Sequence, residues 1–173
     1  MSMSSQDYAD LALDSYAGRA VTRRVEKPET IGGHKYKILD HYDNPRTGYQ
    51  GTIYQRVDTN EIIVAHRGTE FDREALKDGL LADGGMVLNR SNLQASDAIT
   101  LTRKALQLAQ EKATGEGGIA PPVTVTGHSL GGTLAQVTAH HFDLRGETFN
   151  AYGATSLGLR IPAGGHSVTN HVM

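Results

Sequence analysis

The chain has 173 residues and 38% apolar residues, which suits a single domain over residues 1–173 with a hydrophobic core. Seventeen Lys and Arg against 19 Asp and Glu give a formal net charge of −2, which argues against a nucleic-acid-binding role. The absence of cysteine excludes disulfides, a thiol nucleophile and thiolate metal ligands. Because the N-terminal residues carry no basic segment followed by an apolar run, we expect no signal peptide and no membrane span there.

The first part of the chain predicts one helix and then strands. Over residues 5–17, Tyr8, Leu11 and Ala12 recur on one helical face, which predicts an amphipathic helix against the core. Two alternating stretches and one continuous β-branched stretch predict three strands, HKYKILDHY, YQGTIYQRV and EIIVAH, the last preceded by a hairpin turn at DTN. Because IIVA shows no alternation, we expect this strand to be covered on both faces.

The second part alternates between helices and strands. We expect a long loop with a short helical piece over residues 70–91, then a helix over 92–113 that ends at TGEGG. Next come a strand, a helix and two strands, in PPVTVTG, GGTLAQVTAHHFDL, ETFNAYG and HSVTNHVM. This alternation predicts an α/β fold of the α/β hydrolase type, with a mainly parallel sheet and helices on both faces.

The stretch TGHSLGG joins the predicted strand to the predicted helix and has the pattern of a nucleophile elbow. In so tight a turn, side chains at Gly127 and Gly131 would collide with neighbouring backbone, and Ser129 would stand above the sheet edge. The N–H of Leu130 could then bind a developing oxyanion. The alternative is a glycine-rich turn in which Ser129 only caps the helix. A phosphate-binding loop is excluded because its lysine is missing, and His128 should point away from its neighbour.

The end of the strand EIIVAH offers a second oxyanion donor. There, Arg67, Gly68 and Thr69 follow one another, and Thr69 could donate from both its N–H and its hydroxyl. Taken alone, these residues would indicate only a turn at the end of a strand.

Together, IIVAHRGTE and VTVTGHSLGGTLAQVTA resemble the class 3, fungal triacylglycerol lipase-like branch of the α/β hydrolases, over about residues 60–173. The resemblance implies that Ser129 is the nucleophile and that Thr69 and Leu130 are the oxyanion donors. Asp83, in LLADGG, aligns loosely with an aspartate of the family, but an exposed or structural role suits it better. Two departures are His66, where the family has an aromatic residue, and YGATSLG, which lacks the family's proline. His66 could tune the pocket or only fill it.

A serine triad also requires an acid and then a histidine after the serine. The chain offers Asp143 and Glu147, both expected on the wrong side of the sheet, followed by His166 and His171. The resemblance implies that the acid follows the strand HSVTNHVM. We therefore expect the chain to be C-terminally truncated, with its catalytic Asp and His beyond Met173, and close to inactive as it stands.

Two other features invite a functional reading. His140, His141 and Asp143 lie close in sequence, but adjacent helical histidines diverge, so we expect no metal, and no cofactor is indicated. The loop over residues 70–91 stands where lipases carry a lid. Its apolar residues could face a lipid surface, giving peripheral membrane contact, or pack inward.

These observations predict a serine esterase that hydrolyses acyl esters of lipids, as a lipase or, with a slight preference, a phospholipase. Two alternatives are a thioesterase or peptidase with the same elbow, and a non-catalytic lipase-like binding module. The N-terminal part also resembles lipase modules of bacterial effectors delivered by specialised secretion systems. That likeness implies a protein that is cytoplasmic in its producer before export, and it leaves a neutralising immunity protein open as a partner.

Overall fold

The computed structural model of the protein describes residues 3–16, 27–68, 84–115, 118–151 and 167–172. Its helices are α1 (Ser5–Asp14), α2 (Gly84–Gly115) and α3 (Leu130–Phe142). Its strands are β1 (Glu29–Ile31), β2 (His34–Asn44), β3 (Tyr49–Arg56), β4 (Ile62–Arg67), β5 (Val123–His128), β6 (Arg145–Phe149) and β7 (Val168–His171). None of the helices in these ranges is both long and apolar enough to cross a membrane.

The strands form one seven-stranded sheet in chain order, from β1 to β7. Neighbours from β1 to β4 run antiparallel, whereas neighbours from β4 to β7 run parallel. The sheet is therefore mixed, and the prediction of a mainly parallel sheet is wrong for its first half. The reason is the length of the connections: short turns reverse the chain between β1 and β4, while parallel neighbours need a crossover of a dozen or more residues. The turn between β1 and β2 is Gly32–Gly33, where both glycines have positive φ.

Helices cover both faces of the sheet, as the sequence predicts. On one face, Tyr8, Leu11 and Ala12 of α1 pack with Ile63 and Ala65 of β4. On the other face, α2 and α3 pack on a larger cluster, to which β4 contributes Ile62 and Val64. All four of these β4 side chains have no exposed surface, which confirms the prediction of a strand covered on both sides.

The helix α2 begins earlier than the sequence suggests. The structure is helical from Gly84, so residues 84–91, predicted as part of a loop with a short helical piece, continue into the helix predicted over 92–113. Two glycines and the lack of an apolar period hide this first part of the helix. Farther along α2, Ala98, Leu101 and Ala105 are buried against the sheet. The remaining residues of the predicted lid, 70–83, lie outside the described residues.

An ionic network around the buried side chains of Arg56 and Asp7 fastens α1 to the antiparallel strands. The Arg56 side chain is 2% exposed and lies 3.3 Å from Asp7 Oδ2 and 2.6 Å from Asp58 Oδ1. It also donates from Nη2 to His34 Nδ1 at 3.0 Å, and His34 Nε2 lies 3.3 Å from Asp7 Oδ1. Asp7 closes a capping box with Ser4 at the start of α1. Burial alone would raise the pKa of Asp7, but the hydrogen bonds from Ser4 and the neighbouring positive charge lower it overall.

Candidate active site

Ser129 lies in a strained turn between β5 and α3. Its φ is 56° and its ψ is −122°, a region that residues other than glycine rarely adopt and that costs about 1–3 kcal/mol. The backbone is held there because Ser129 N–H donates to the carbonyl of Phe149 at 2.9 Å and Thr133 N–H donates to the carbonyl of Ser129 at 3.2 Å. The Ser129 side chain makes no capping hydrogen bond. The alternative in which this serine only caps the helix is therefore not supported.

The glycines around the serine are required by contact distances. A Cβ on Gly127 would lie 2.4 Å from the carbonyl carbon and oxygen of Gly131. A Cβ on Gly131 would lie 2.1 Å from the carbonyl oxygen of His66, and one on Gly132 would lie 2.7 Å from Ala151 Cβ. These distances agree with the steric reason from which the elbow was predicted.

The end of β4 meets the start of α3. His66 pairs with Gly127 in the parallel ladder between β4 and β5, and a Cβ on Gly68 would lie 2.7 Å from Leu130 Cγ. Leu130 is the first residue of α3, where backbone N–H groups have no carbonyl partner within the helix. Thr69 is the next residue after Gly68 and lies outside the described residues, so its part as an oxyanion donor stays a prediction.

His128 faces α1 and not α3. Its Nδ1 is 3.5 Å from the hydroxyl of Tyr16, and the two rings meet edge to face with their centroids 6.3 Å apart. The guanidinium of Arg67 lies 4.7 Å from the centroid of the same tyrosine ring. His128 therefore packs on the side of the sheet that α1 covers.

The two acidic residues that follow the serine lie on different elements, Asp143 at the end of α3 and Glu147 on β6. Asp143 ends α3 in a left-handed conformation, about 20 Å from the elbow, since an α-helix rises 1.5 Å per residue. Glu147 lies on β6, two residues before the strand ends, and its Oε2 is 3.1 Å from His171 Nε2 on β7. Ser5 Oγ donates to Glu147 Oε1 at 3.1 Å, so Glu147 faces α1. No pattern in the sequence indicates this contact between the carboxylate and the histidine.

The ring of His171 is also fixed by stacking. It lies parallel to the Phe149 ring, at 14° and 5.1 Å between centroids. His171 and Glu147 have the chain order expected of a histidine and its acid, but their contacts with Phe149 and Ser5 tie β7 to β6 and α1. His166 and Asp83 lie outside the described residues.

A cavity of about 470 Å³ opens beside the elbow on the face that α1 covers. It lies between Ser5 and Ala9 of α1 and the ends of β5, β6 and β7, where His128, Phe149 and His171 line it. Within the described ranges, no three histidines or acidic residues converge as metal ligands. His140 and His141 are exposed at the end of α3.

His66 stands where the lipase family has an aromatic residue, and the structure shows the surroundings of its side chain. Its side chain is 1% exposed and points into the core between the sheet and the helices α2 and α3. The sequence left open whether His66 tunes the pocket or only fills it, and the structure places its ring in the core. Its partners Tyr49, Thr102 and Thr138 could not be identified from the sequence, because buried threonines leave no periodic signal of their own.

Comparison with family models identifies the family of the domain. A model described as Phospholipase-like, Tle-like phospholipase domain, matches residues 7–161, which include both the elbow and the end of β4. The chain belongs to the Tle-like phospholipase domain family. A search of curated proteins found no significant match.

The Tle-like phospholipase domain is similar in structure to fungal lipases. Lip2 lipase from Yarrowia lipolytica matches with a TM-score of 0.61 and 14% identity, over 96% of this chain and 69% of that one. Lipase II from Rhizopus niveus matches with a TM-score of 0.52 and 19% identity, over 95% and 68%. The lipase from Rhizopus microsporus var. chinensis matches with a TM-score of 0.50 and 19% identity, over 84% of this domain and 56% of the lipase. These likenesses show a lipase-like α/β fold, and the domain spans little more than half of the last enzyme.

Proposed function

We propose that this domain hydrolyses acyl esters of phospholipids through an acyl-enzyme formed on Ser129. The observation that carries the proposal is the conformation of Ser129, a strained non-glycine residue between β5 and α3 whose side chain does not cap the helix. Strain of this kind persists only where the surrounding structure enforces it, and it concentrates at functional sites. Membership of a phospholipase-like family supports the lipid ester as substrate.

In the proposed mechanism, Ser129 Oγ attacks the acyl carbonyl carbon while a general base takes its proton. The tetrahedral oxyanion accepts hydrogen bonds from the N–H of Leu130 and from Thr69. Collapse of the intermediate breaks the ester bond, the proton passes to the leaving alcohol, and water then releases the fatty acid from the acyl-serine. Removing one such oxyanion donor typically lowers kcat by about 10²- to 10³-fold.

The base and its acid are not assigned to described residues. His128 contacts Tyr16, whereas His171 stacks on Phe149 and contacts Glu147, a carboxylate partner of the kind that a triad base has. The acid and histidine expected beyond Met173 stay a prediction, and so do export by a secretion system and a neutralising partner.

A serine-directed fluorophosphonate tests the nucleophile. The chain, and a form extended at its C-terminus along its gene, would be incubated with the probe and weighed intact. Ser129→Ala is compared with Ser96→Ala, since Ser96 is an exposed serine on α2. We expect the extended form to gain one adduct that Ser129→Ala abolishes and Ser96→Ala does not.

Labelling of Ser129→Ala at the wild-type rate would overturn the proposal. If the 173-residue chain labels as fast as the extended form, the base lies within it, and His171 with Glu147 becomes the candidate pair. Substrate class is tested on the form that labels, with phosphatidylcholine vesicles, a triacylglycerol emulsion and an acyl thioester. Turnover of the thioester alone would replace the phospholipase proposal with a thioesterase.

A further inference from the structure

A closed hydrogen-bonded cluster surrounds His66 behind the elbow. Tyr49 Oη lies 2.7 Å from His66 Nδ1. On the other side of the ring, His66 Nε2 lies 3.3 Å from Thr102 Oγ1 on α2 and 3.2 Å from Thr138 Oγ1 on α3. All four side chains are buried, with at most 1% exposure. The ring therefore joins β3, β4, α2 and α3 at one point.

The hydrogen bonds of the two threonine hydroxyls indicate which nitrogen of the His66 ring carries the proton. Thr102 donates its hydroxyl proton to the carbonyl of Ala98 at 2.8 Å, and Thr138 donates its own to the carbonyl of Ala135 at 3.0 Å. With both hydroxyl protons assigned to these carbonyls, the threonines accept from His66, and this assigns the ring proton to Nε2.

The other ring nitrogen completes the cluster. With its proton on Nε2, His66 accepts at Nδ1 from the hydroxyl of Tyr49, whose pKa burial raises well above its usual value. Burial lowers the pKa of His66 to about 3, so the ring is neutral at physiological pH. Every hydrogen bond then has one direction, and the neutral Nε2–H tautomer satisfies every donor in the cluster.

The backbone of His66 touches the elbow. Its carbonyl oxygen would lie 2.1 Å from a Cβ on Gly131, and the residue pairs with Gly127 in the sheet. Through its ring the same residue contacts Thr138, which lies farther along the helix that begins at Leu130. His66 therefore fixes α3 at two points and leads directly into Arg67 and Gly68, at the exit of β4.

We propose that His66 is a positioning residue, whose neutral ring holds the start of α3 against the exit of β4 in the register that brings Leu130 into contact with Gly68. This inference rests on the proposed function. The ring is proposed to act at a distance from the reacting atoms, by fixing the contact between Leu130 and Gly68. Misplacing catalytic groups by about 1 Å can cost about 10²-fold in rate, so a small shift of α3 suffices.

The first test replaces the polar cluster by an apolar one of similar shape, in the double variant His66→Phe/Tyr49→Phe. Replacing both partners of a buried hydrogen bond by apolar groups can leave stability nearly unchanged, so this variant should fold. The matched control is Tyr54→Phe, which removes a buried tyrosine's hydroxyl contact, to Asp14, on the opposite face of the sheet. We expect the double variant to label with fluorophosphonate at least about tenfold more slowly, with kcat lowered and KM unchanged, and Tyr54→Phe to label at the wild-type rate.

The second test asks which ring nitrogen matters. His66→Gln can donate an amide proton from the position of Nε2, towards Thr138 and Thr102, whereas His66→Asn replaces only the Nδ1 side, towards Tyr49. If the ring positions α3, Gln should retain more of the labelling rate than Asn at matched melting temperature.

Two outcomes overturn the inference. One is wild-type labelling by the folded double variant, and the other is labelling rates that follow melting temperature alone across all four variants. The result also separates this inference from the proposed function. If wild-type protein never labels at Ser129, the proposed function fails, whereas unchanged labelling in the variants refutes only the role of His66.

Discussion

Two buried polar clusters lie on opposite faces of the sheet and differ in charge. On the α1 face, Arg56 is paired with Asp7, Asp58 and His34, so that cluster is ionic. On the face of α2 and α3, His66 and its hydroxyl partners form a neutral cluster. The ionic cluster joins α1 to the antiparallel half of the sheet, and the neutral cluster lies directly behind the elbow.

Because the two clusters differ in charge, we expect them to have different roles, one in the stability of the fold and one in the chemistry at Ser129. A buried ion pair is stable only while both charges are compensated. Removing one partner leaves the other charge buried without a counter-charge, which lowers stability. A neutral cluster fixes directions without adding a charge near the carbonyl on which an oxyanion is proposed to form. We therefore expect damage to the Arg56 cluster to lower stability alone, and damage to the His66 cluster to lower the rate of the chemistry.

The largest effect on stability is expected from Arg56→Met. Removing one partner of a buried ion pair typically costs about 3–5 kcal/mol, and Arg56 is 2% exposed beside the 8% exposed side chain of Asp7. Chemical denaturation should show this loss in the free energy of unfolding, while Arg46→Met, at an exposed arginine, should change it little. If the folded fraction of Arg56→Met labels with fluorophosphonate more slowly than wild type, the claim that the Arg56 cluster affects stability alone is wrong.

Acid should weaken the His66 cluster next. Burial lowers the native pKa of His66 to about 3, against about 6.5 for an unperturbed histidine, so between these values the unfolded state binds a proton that the native state does not. The stability due to neutral His66 is complete above pH 6.5 and falls as pH is lowered towards 3, by about 1.4 kcal/mol per pH unit.

The double variant His66→Phe/Tyr49→Phe isolates this contribution. Denaturation at several pH values should give a shallower acid dependence in the double variant than in wild type. Arg56→Met should keep the wild-type contribution of His66. Equal slopes in wild type and the double variant would mean that His66 is not buried as a neutral ring.

A smaller effect is expected at the elbow itself. Glycine adopts positive φ without strain, so Ser129→Gly should remove the strain of about 1–3 kcal/mol, while Ser129→Ala should keep it. After the higher chain entropy of unfolded glycine is subtracted, we expect Ser129→Gly to be more stable than Ser129→Ala by about 1 kcal/mol. Equal unfolding free energies for the two variants would contradict a strained serine.

The elbow could be predicted from the sequence because its geometry forces particular residues. Only glycine fits at 127 and 131, so the steric requirement of the turn can be recognised from the residue types alone. The continuous apolar strand β4 was equally clear, since burial on both faces removes its alternation. The hairpin turn at DTN is confirmed, because β3 and β4 run antiparallel. The strand–helix alternation that predicts a parallel sheet belongs to the second half of the chain, so it does not describe β1 to β3.

The two buried clusters could not be predicted. Arginine is usually exposed, so nothing marks Arg56 as a core residue until the tertiary fold brings Asp7 and His34 beside it. The partners of His66 come from three different elements, and their spacing in sequence carries no pattern. The acid and base of the proposed reaction depend in the same way on tertiary contacts.

The most direct measurement of the central claim is the position of the fluorophosphonate adduct. Trypsin cleaves after Lys112 and Arg145, and Ser129 is the only serine among residues 113–145. Mass mapping of the labelled, C-terminally extended protein should find the adduct on this peptide, and fragmentation should assign it to Ser129. An adduct confined to any other peptide would contradict the account, because the strained serine between β5 and α3 would then not be the nucleophile.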